Sequence, residues 1–208
     1  MPDMNIQFRL IIVITICFFI AIASSCNTHT TNKKYTELSD SDYKQETDTI
    51  GGDTVHFKTA AVANTPQKIT SLTDEQKQFI SQCLSGADTI VTRGGFKSNH
   101  DNFTPKILDK IIDRWNQDSL QFHCTKEHFV NCIGAAFGDY LVRTYSLEWQ
   151  VTTDEYGTDY ATTFEKIRLT NFPLNSVLKA IEQKREGSLL SISLVTKRQI
   201  QQLNAEKK

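Results

Sequence analysis

Hydrophobic and polar positions divide the chain into three stretches. Leu10 to Ala23 is an apolar run of 14 residues that only Thr15 interrupts. From Asn27 to Thr70 the apolar residues are scattered among ten threonines and a balanced mix of lysines and acids, with neither helical nor strand period. From Ser71 a period returns. Thr73 with Gln76 three residues on predicts a capping box, followed by a stripe of Phe79, Ile80, Cys83 and Leu84 that Gly86 would close. Residues 87–102 read as a loop or short extended piece. Thr104-Pro105 opens a second helix, with proline where its missing N–H costs nothing, and Leu108, Ile111, Ile112 and Trp115 form its buried face. Thr125 caps a third helix over 126–144, in which Phe129, Ile133, Phe137 and Leu141 recur every four residues. It is the most hydrophobic helix and belongs at the centre, with Gly134 and Gly138 marking a close approach.

The period then changes to two. Leu147, Trp149 and Val151 alternate with Glu148, Gln150 and Thr152, the pattern of a half-buried strand. Asp154-Glu155-Tyr156-Gly157 is a turn, with return strands over 160–164 and 167–172. Pro173 starts a fourth helix carrying Leu174, Val177, Leu178 and Ile181, which Gly187 ends. Residues 189–194 read as a final strand, or else as part of a helix through Leu203. Helices, then a meander, then a helix predict an α+β fold, with helices packed on a small antiparallel meander.

The domain organisation follows from the three patterns: a leader over 1–25, Cys26 with a linker to residue 70, and one globular domain over 71–208. An apolar run of 14 residues is shorter than the roughly 20 needed to span a bilayer and has the length of a signal-peptide core. The ending Ala23-Ser24-Ser25-Cys26 resembles that of bacterial lipoprotein signals. The resemblance implies cleavage before Cys26, a diacylglyceryl thioether on its sulfur and acylation of the new amino terminus. Several chains anchor far better than one, since each buried CH₂ adds about 0.8 kcal/mol. An ordinary cleaved leader that happens to reach a cysteine is the alternative. Asn27 stands where an Asp would signal inner-membrane retention in some bacteria, which points to the outer membrane of the cell envelope. The linker, too polar to offset its chain entropy, would hold the domain off that membrane over roughly 35–40 Å, with a transient hairpin read over residues 50–57.

Composition narrows the partners. The 208 residues carry 23 basic and 24 acidic side chains, a net charge of -1. That balance gives no field for gripping nucleic acid or an acidic lipid face. Five cysteines and nine glycines exclude a disulfide-packed scaffold and a collagen-like repeat.

FGDYLV (137–142), LEWQVTTDEYGTDYA (147–161) and NFPLNSVLKAIE (171–182) together resemble an uncharacterised bacterial domain family over residues 72–190. The shared residues are Gly138, Trp149, Asp154, Glu155, Tyr156, Gly157, Pro173, Ser176, Lys179 and Glu182. The resemblance implies a fold and no chemistry.

Candidate chemistry is sparse. His128 and Cys132, at i and i+4, share a helix face near His123 and Cys124. Two readings compete with plain packing: ligands to one Zn²⁺, or a cysteine nucleophile with a histidine base. Cys124, just before a helix N-terminus, is the better-placed thiol for the second, because the helix dipole favours thiolate. The spacing matches no standard zinc motif, so neither a metal nor another cofactor is expected. Whether Cys83, Cys124 and Cys132 form one disulfide or stay free is open. Asp154, Glu155, Tyr156 and Lys179 are candidate binding residues; the carboxylates of Asp154 and Glu155, with Asp159, would take Ca²⁺ or a basic partner, although they lack the spacing of a calcium loop. The expectation is an envelope binding module, for instance an immunity protein meeting an incoming toxin, whose partners are the membrane, through its lipid, and an envelope protein. The alternatives are an envelope enzyme using Cys124 with His128 or His123, and a structural assembly lipoprotein.

Overall fold

The computed structural model describes residues 43–50, 53–60, 67–97, 103–154, 157–164, 169–184 and 186–206. Strands β1 (Tyr43–Ile50) and β2 (Asp53–Ala60) pair antiparallel with Ile50 opposite Asp53. Strand β3 (Lys68–Ser71) precedes helices α1 (Asp74–Arg93) and α2 (Pro105–Gln117), a 3-10 turn (Ser119–Phe122) and helix α3 (Lys126–Tyr145). Strands β4 (Glu148–Asp154), β5 (Gly157–Phe164) and β6 (Leu169–Asn171) follow, then helices α4 (Pro173–Gln183) and α5 (Ser188–Ala205). The second sheet runs β3-β4-β5-β6, all antiparallel. The fold is α+β, as the change of period predicts.

Four local expectations need correction or completion. The hairpin read in the linker over residues 50–57 extends to β1–β2 over 43–60, and the linker's last residues form β3 on the edge of the main sheet. Gly86 does not end α1. Ala87, Ile90 and Val91 continue the buried stripe to Arg93, and the Gly94 N–H closes the helix on the Ile90 carbonyl. Gly86 lies where α1 meets α3: a Cβ there would stand 2.6 Å from the Cys132 Sγ. A mid-helix glycine costs about 1 kcal/mol of propensity relative to alanine, and here it lets two helices close on each other. Gly187 begins α5 rather than ending α4, which stops at Lys184 in the left-handed region. Residues 189–194 are helical, so of the two readings of that segment the helix holds.

Helix α3 is the hub. Phe129, Ile133, Phe137 and Leu141 are fully buried, with Cys132, Ala135 and Ala136 beside them. Trp115 from α2 and Phe122 from the 3-10 turn close on Phe129 with ring centroids 4.1 and 5.2 Å away. The two glycines expected to permit close approach do so. A Cβ at Gly134 would lie 2.6 Å from the Leu174 Cα, and one at Gly138 would lie 2.1 Å from the Trp149 ring. The start of α4 and the start of β4 therefore rest on bare α3 backbone. Helix α1 reaches the sheet through Phe79, stacked on Tyr160 at 5.3 Å.

Helix α5 depends on a distant residue. The buried Asp109 carboxylate of α2 accepts the Leu189 and Leu190 amides at 2.9 and 3.0 Å. Those two N–H groups have no intrahelical acceptor, so a side chain 80 residues upstream caps the helix. Burial, partly offset by the two amides, pushes the Asp109 carboxyl up to about 6.

Two outcomes follow. Gly138→Ala must displace the Trp149 ring, and chemical denaturation should show a loss of about 1–3 kcal/mol. Asp109 binds its proton more tightly when folded than when unfolded. Its contribution is therefore full below the ordinary carboxylate value of 3.8 and is lost as pH rises through about 6. Urea titrations from pH 4 to pH 7 should show the native chain losing about 2–3 kcal/mol relative to Asp109→Asn across that window.

Candidate functional site

The structure brings Cys132 of α3 within 3.5 Å of the His128 Nε2, as the i, i+4 spacing predicts. The third member is Cys83 of α1, whose thiol neighbours Cys132 where α1 meets α3 at Gly86. Sequence spacing could not pair these two, because the contact is made by helix packing. All three described cysteines are free thiols. Cys132 is fully buried, and the neighbouring Cys83 thiol together with burial holds it firmly protonated. The Cys132 thiol in turn lowers that of Cys83, against the opposing effect of burial.

Cys124, the better-placed nucleophile by sequence, precedes the Thr125 cap of α3, where the Thr125 Oγ1 accepts the His128 amide at 3.1 Å. Its thiol is pushed up by burial, with Arg93 opposing. Arg93 is itself engaged, since its Nη1 donates to the Phe122 carbonyl at 2.6 Å. His123 takes the left-handed region at φ 47° and terminates the 3-10 turn. The histidine contact thus goes to the interior thiol Cys132, while the Cys124 thiol is made less acidic rather than more. Among the described residues no group of three or more His, Cys, Asp or Glu side chains is arranged to hold a metal ion.

Of the other candidates, Asp154 ends β4 in register with Gly157. Glu155 and Tyr156 lie outside the described residues, as does Cys26. Lys179 is on the exposed side of α4. Glu182, three residues on, takes Lys126 of α3 as an ion-pair partner at 2.9 Å. Among the described residues no helix is long and apolar enough to cross a membrane. The Leu10–Ala23 run is not among them.

Sequence reasoning missed a cleft. It lies between the C-terminal end of α3 and one side of α5, with a volume of about 570 Å³, within the range of small-molecule sites. Its floor is the Tyr145 hydroxyl, 2.9 Å from the Ser193 Oγ. Burial pushes the Tyr145 phenol up to about 12, with Tyr140 adding to the effect and Ser193 opposing it, so it stays a neutral hydroxyl. Tyr140 meets Tyr145 edge to face at 6.1 Å. Lys197 and Gln201 stand at the rim, and Leu190, Leu194 and Ile200 supply the apolar wall. The sequence signal existed in part: Ser193, Lys197 and Gln201 recur every four residues and so share one helix face. It could be read only once residues 189–194 were known to be helical.

Residues 107–192 match a family described as a domain of unknown function, DUF3806. This is consistent with the sequence resemblance to an uncharacterised domain family, and the matched stretch runs from α2 into α5. No curated protein matches. A crystal structure from Bacteroides thetaiotaomicron VPI-5482 is similar at a TM-score of 0.48, with 10% identity, over 73% of this chain and 68% of that one.

The state of the thiols can be checked directly. Maleimide labelling of the native chain at pH 7 should modify Cys124 first, and more than about tenfold slower than a free peptide thiol. Cys132 should label only on unfolding. Fast labelling of Cys124, or of Cys132 in the folded protein, would show an activated thiol.

Proposed function

We propose that this chain is a lipid-anchored binding module of the bacterial cell envelope, tethered through Cys26 at the outer membrane, and that its body engages an envelope component in the α3–α5 cleft. The observation that carries the binding role is the cleft: an open site with a polar, hydrogen-bonding floor and an apolar wall. The anchoring rests on the sequence, in which a short apolar leader ends on small residues and Cys26. Protonated, packed thiols at Cys132 and Cys124 weigh against the cysteine-enzyme alternative, since thiolate is the nucleophilic form.

The test joins the two halves. Mass spectrometry of the processed protein should find an acylated Cys26 at the amino terminus, and Cys26→Ser should leave the membrane fraction. A photo-reactive side chain at Gln201 should capture an envelope component that the same probe at Lys126 does not. An intact leader, or a mature terminus beyond residue 26, defeats the anchoring. Equal capture at both positions defeats the cleft as the binding surface.

A further inference from the structure

From the lining of the α3–α5 cleft we infer that its ligand is a neutral saccharide, a deduction that rests on the binding role proposed above and names the chemistry of that site. Among the described residues that line the cleft the formal charge is that of Lys197, on the α5 rim. Facing it is the C-terminal end of α3, closed by Ser146 in the left-handed region at φ 55°. The last carbonyls of a helix have no intrahelical donors and together carry about half a negative charge. An anion at Lys197 therefore meets the carbonyl end of α3, and a cation at those carbonyls meets Lys197. Neither charge is well received.

A purely apolar ligand fits no better. Covering Tyr140 and Gln201 with hydrocarbon would remove their polar groups from water without replacing those hydrogen bonds, at about 1–3 kcal/mol for each group left unpaired. A pyranose ring has what the lining asks for. Its hydroxyls both donate and accept, matching the phenol of Tyr140, the Gln201 amide, the Lys197 ammonium and the α3 carbonyls. Its C–H face is apolar and packs on an aromatic ring or on Leu194. Tyr145, held neutral by burial and tied to Ser193, is a fixed hydroxyl rather than a titrating one. The volume of about 570 Å³ falls in the range of small-ligand sites.

The experiment uses the full-length protein in lipid nanodiscs, with saturation-transfer NMR and calorimetry. Maltotriose, mannotriose and chitotriose are the neutral probes and separate plain hexose chains from amino-sugar chains as the source. Trigalacturonate is the anionic probe and dodecanoate the apolar one. At least one neutral trisaccharide should bind with a Kd below about 1 mM, with saturation concentrated on ring protons. Tyr140→Phe and the exposed Gln201→Ala should each weaken it roughly 5–10-fold, while Lys126→Ala leaves it unchanged. The inference is overturned if no neutral trisaccharide binds, if the uronate or dodecanoate binds more tightly, or if both cleft variants bind as well as the native chain. A chain lacking lipid on Cys26 that still binds a trisaccharide in the cleft would remove the anchored role and keep this inference. An anchored chain whose Gln201 probe captures a protein, and which binds no trisaccharide, would do the reverse.

Discussion

The bare side of α3 is the constraint on which the architecture turns. Gly134 meets the α4 backbone at Leu174, Gly138 meets the Trp149 ring, and Cys132 meets the glycine of α1 at Gly86. At each contact a missing side chain lets a neighbouring element approach closer than a Cβ would allow. Dispersion attraction falls steeply with separation, so these close approaches add up over a packed interior. The large residues on α3's other faces, Phe129, Ile133, Phe137 and Leu141, fill what remains. One helix thus fixes the positions of α1, α4 and the sheet together.

Three polar contacts in this interior join residues far apart in the chain. Asp109 caps α5 from α2, Tyr145 meets Ser193, and Thr196 donates to the Asn171 side chain at 3.1 Å. Each contact ties α5 to a different element: α2, α3 and β6. A helix held on three sides is a rigid wall, and the cleft is built on that wall and the end of α3. The buried thiols Cys83 and Cys132 lie in the same packed interior, where α1 meets α3.

Much of the fold was legible in the residues. The capping box of Thr73 and Gln76, Pro105 and Pro173 at helix starts, the four-residue recurrence on α3 and the alternation from Leu147 each have a local cause, and each was read correctly. The errors fell where a local signal was ambiguous. Gly86 looks like a helix stop because glycine commonly occupies that role, and only the partner helix shows why it sits mid-helix instead. The stretch LLSISL alternates like a strand, and in the fold it is helical, with Asp109 accepting two of its first-turn amides.

The site was less legible than the fold. The sequence brought His128 and Cys132 together because both lie on one helix, where spacing alone sets distance. It could not pair Cys132 with Cys83 or set Tyr145 over Ser193, since those contacts join helices far apart in the chain. By itself, then, the sequence determined the elements, the α+β class and the neutral charge, all of which depend on near neighbours along the backbone. The tertiary structure alone decided which helix faces meet, which thiols are silenced and where an open cleft remains, because those depend on packing between residues that the chain order keeps apart.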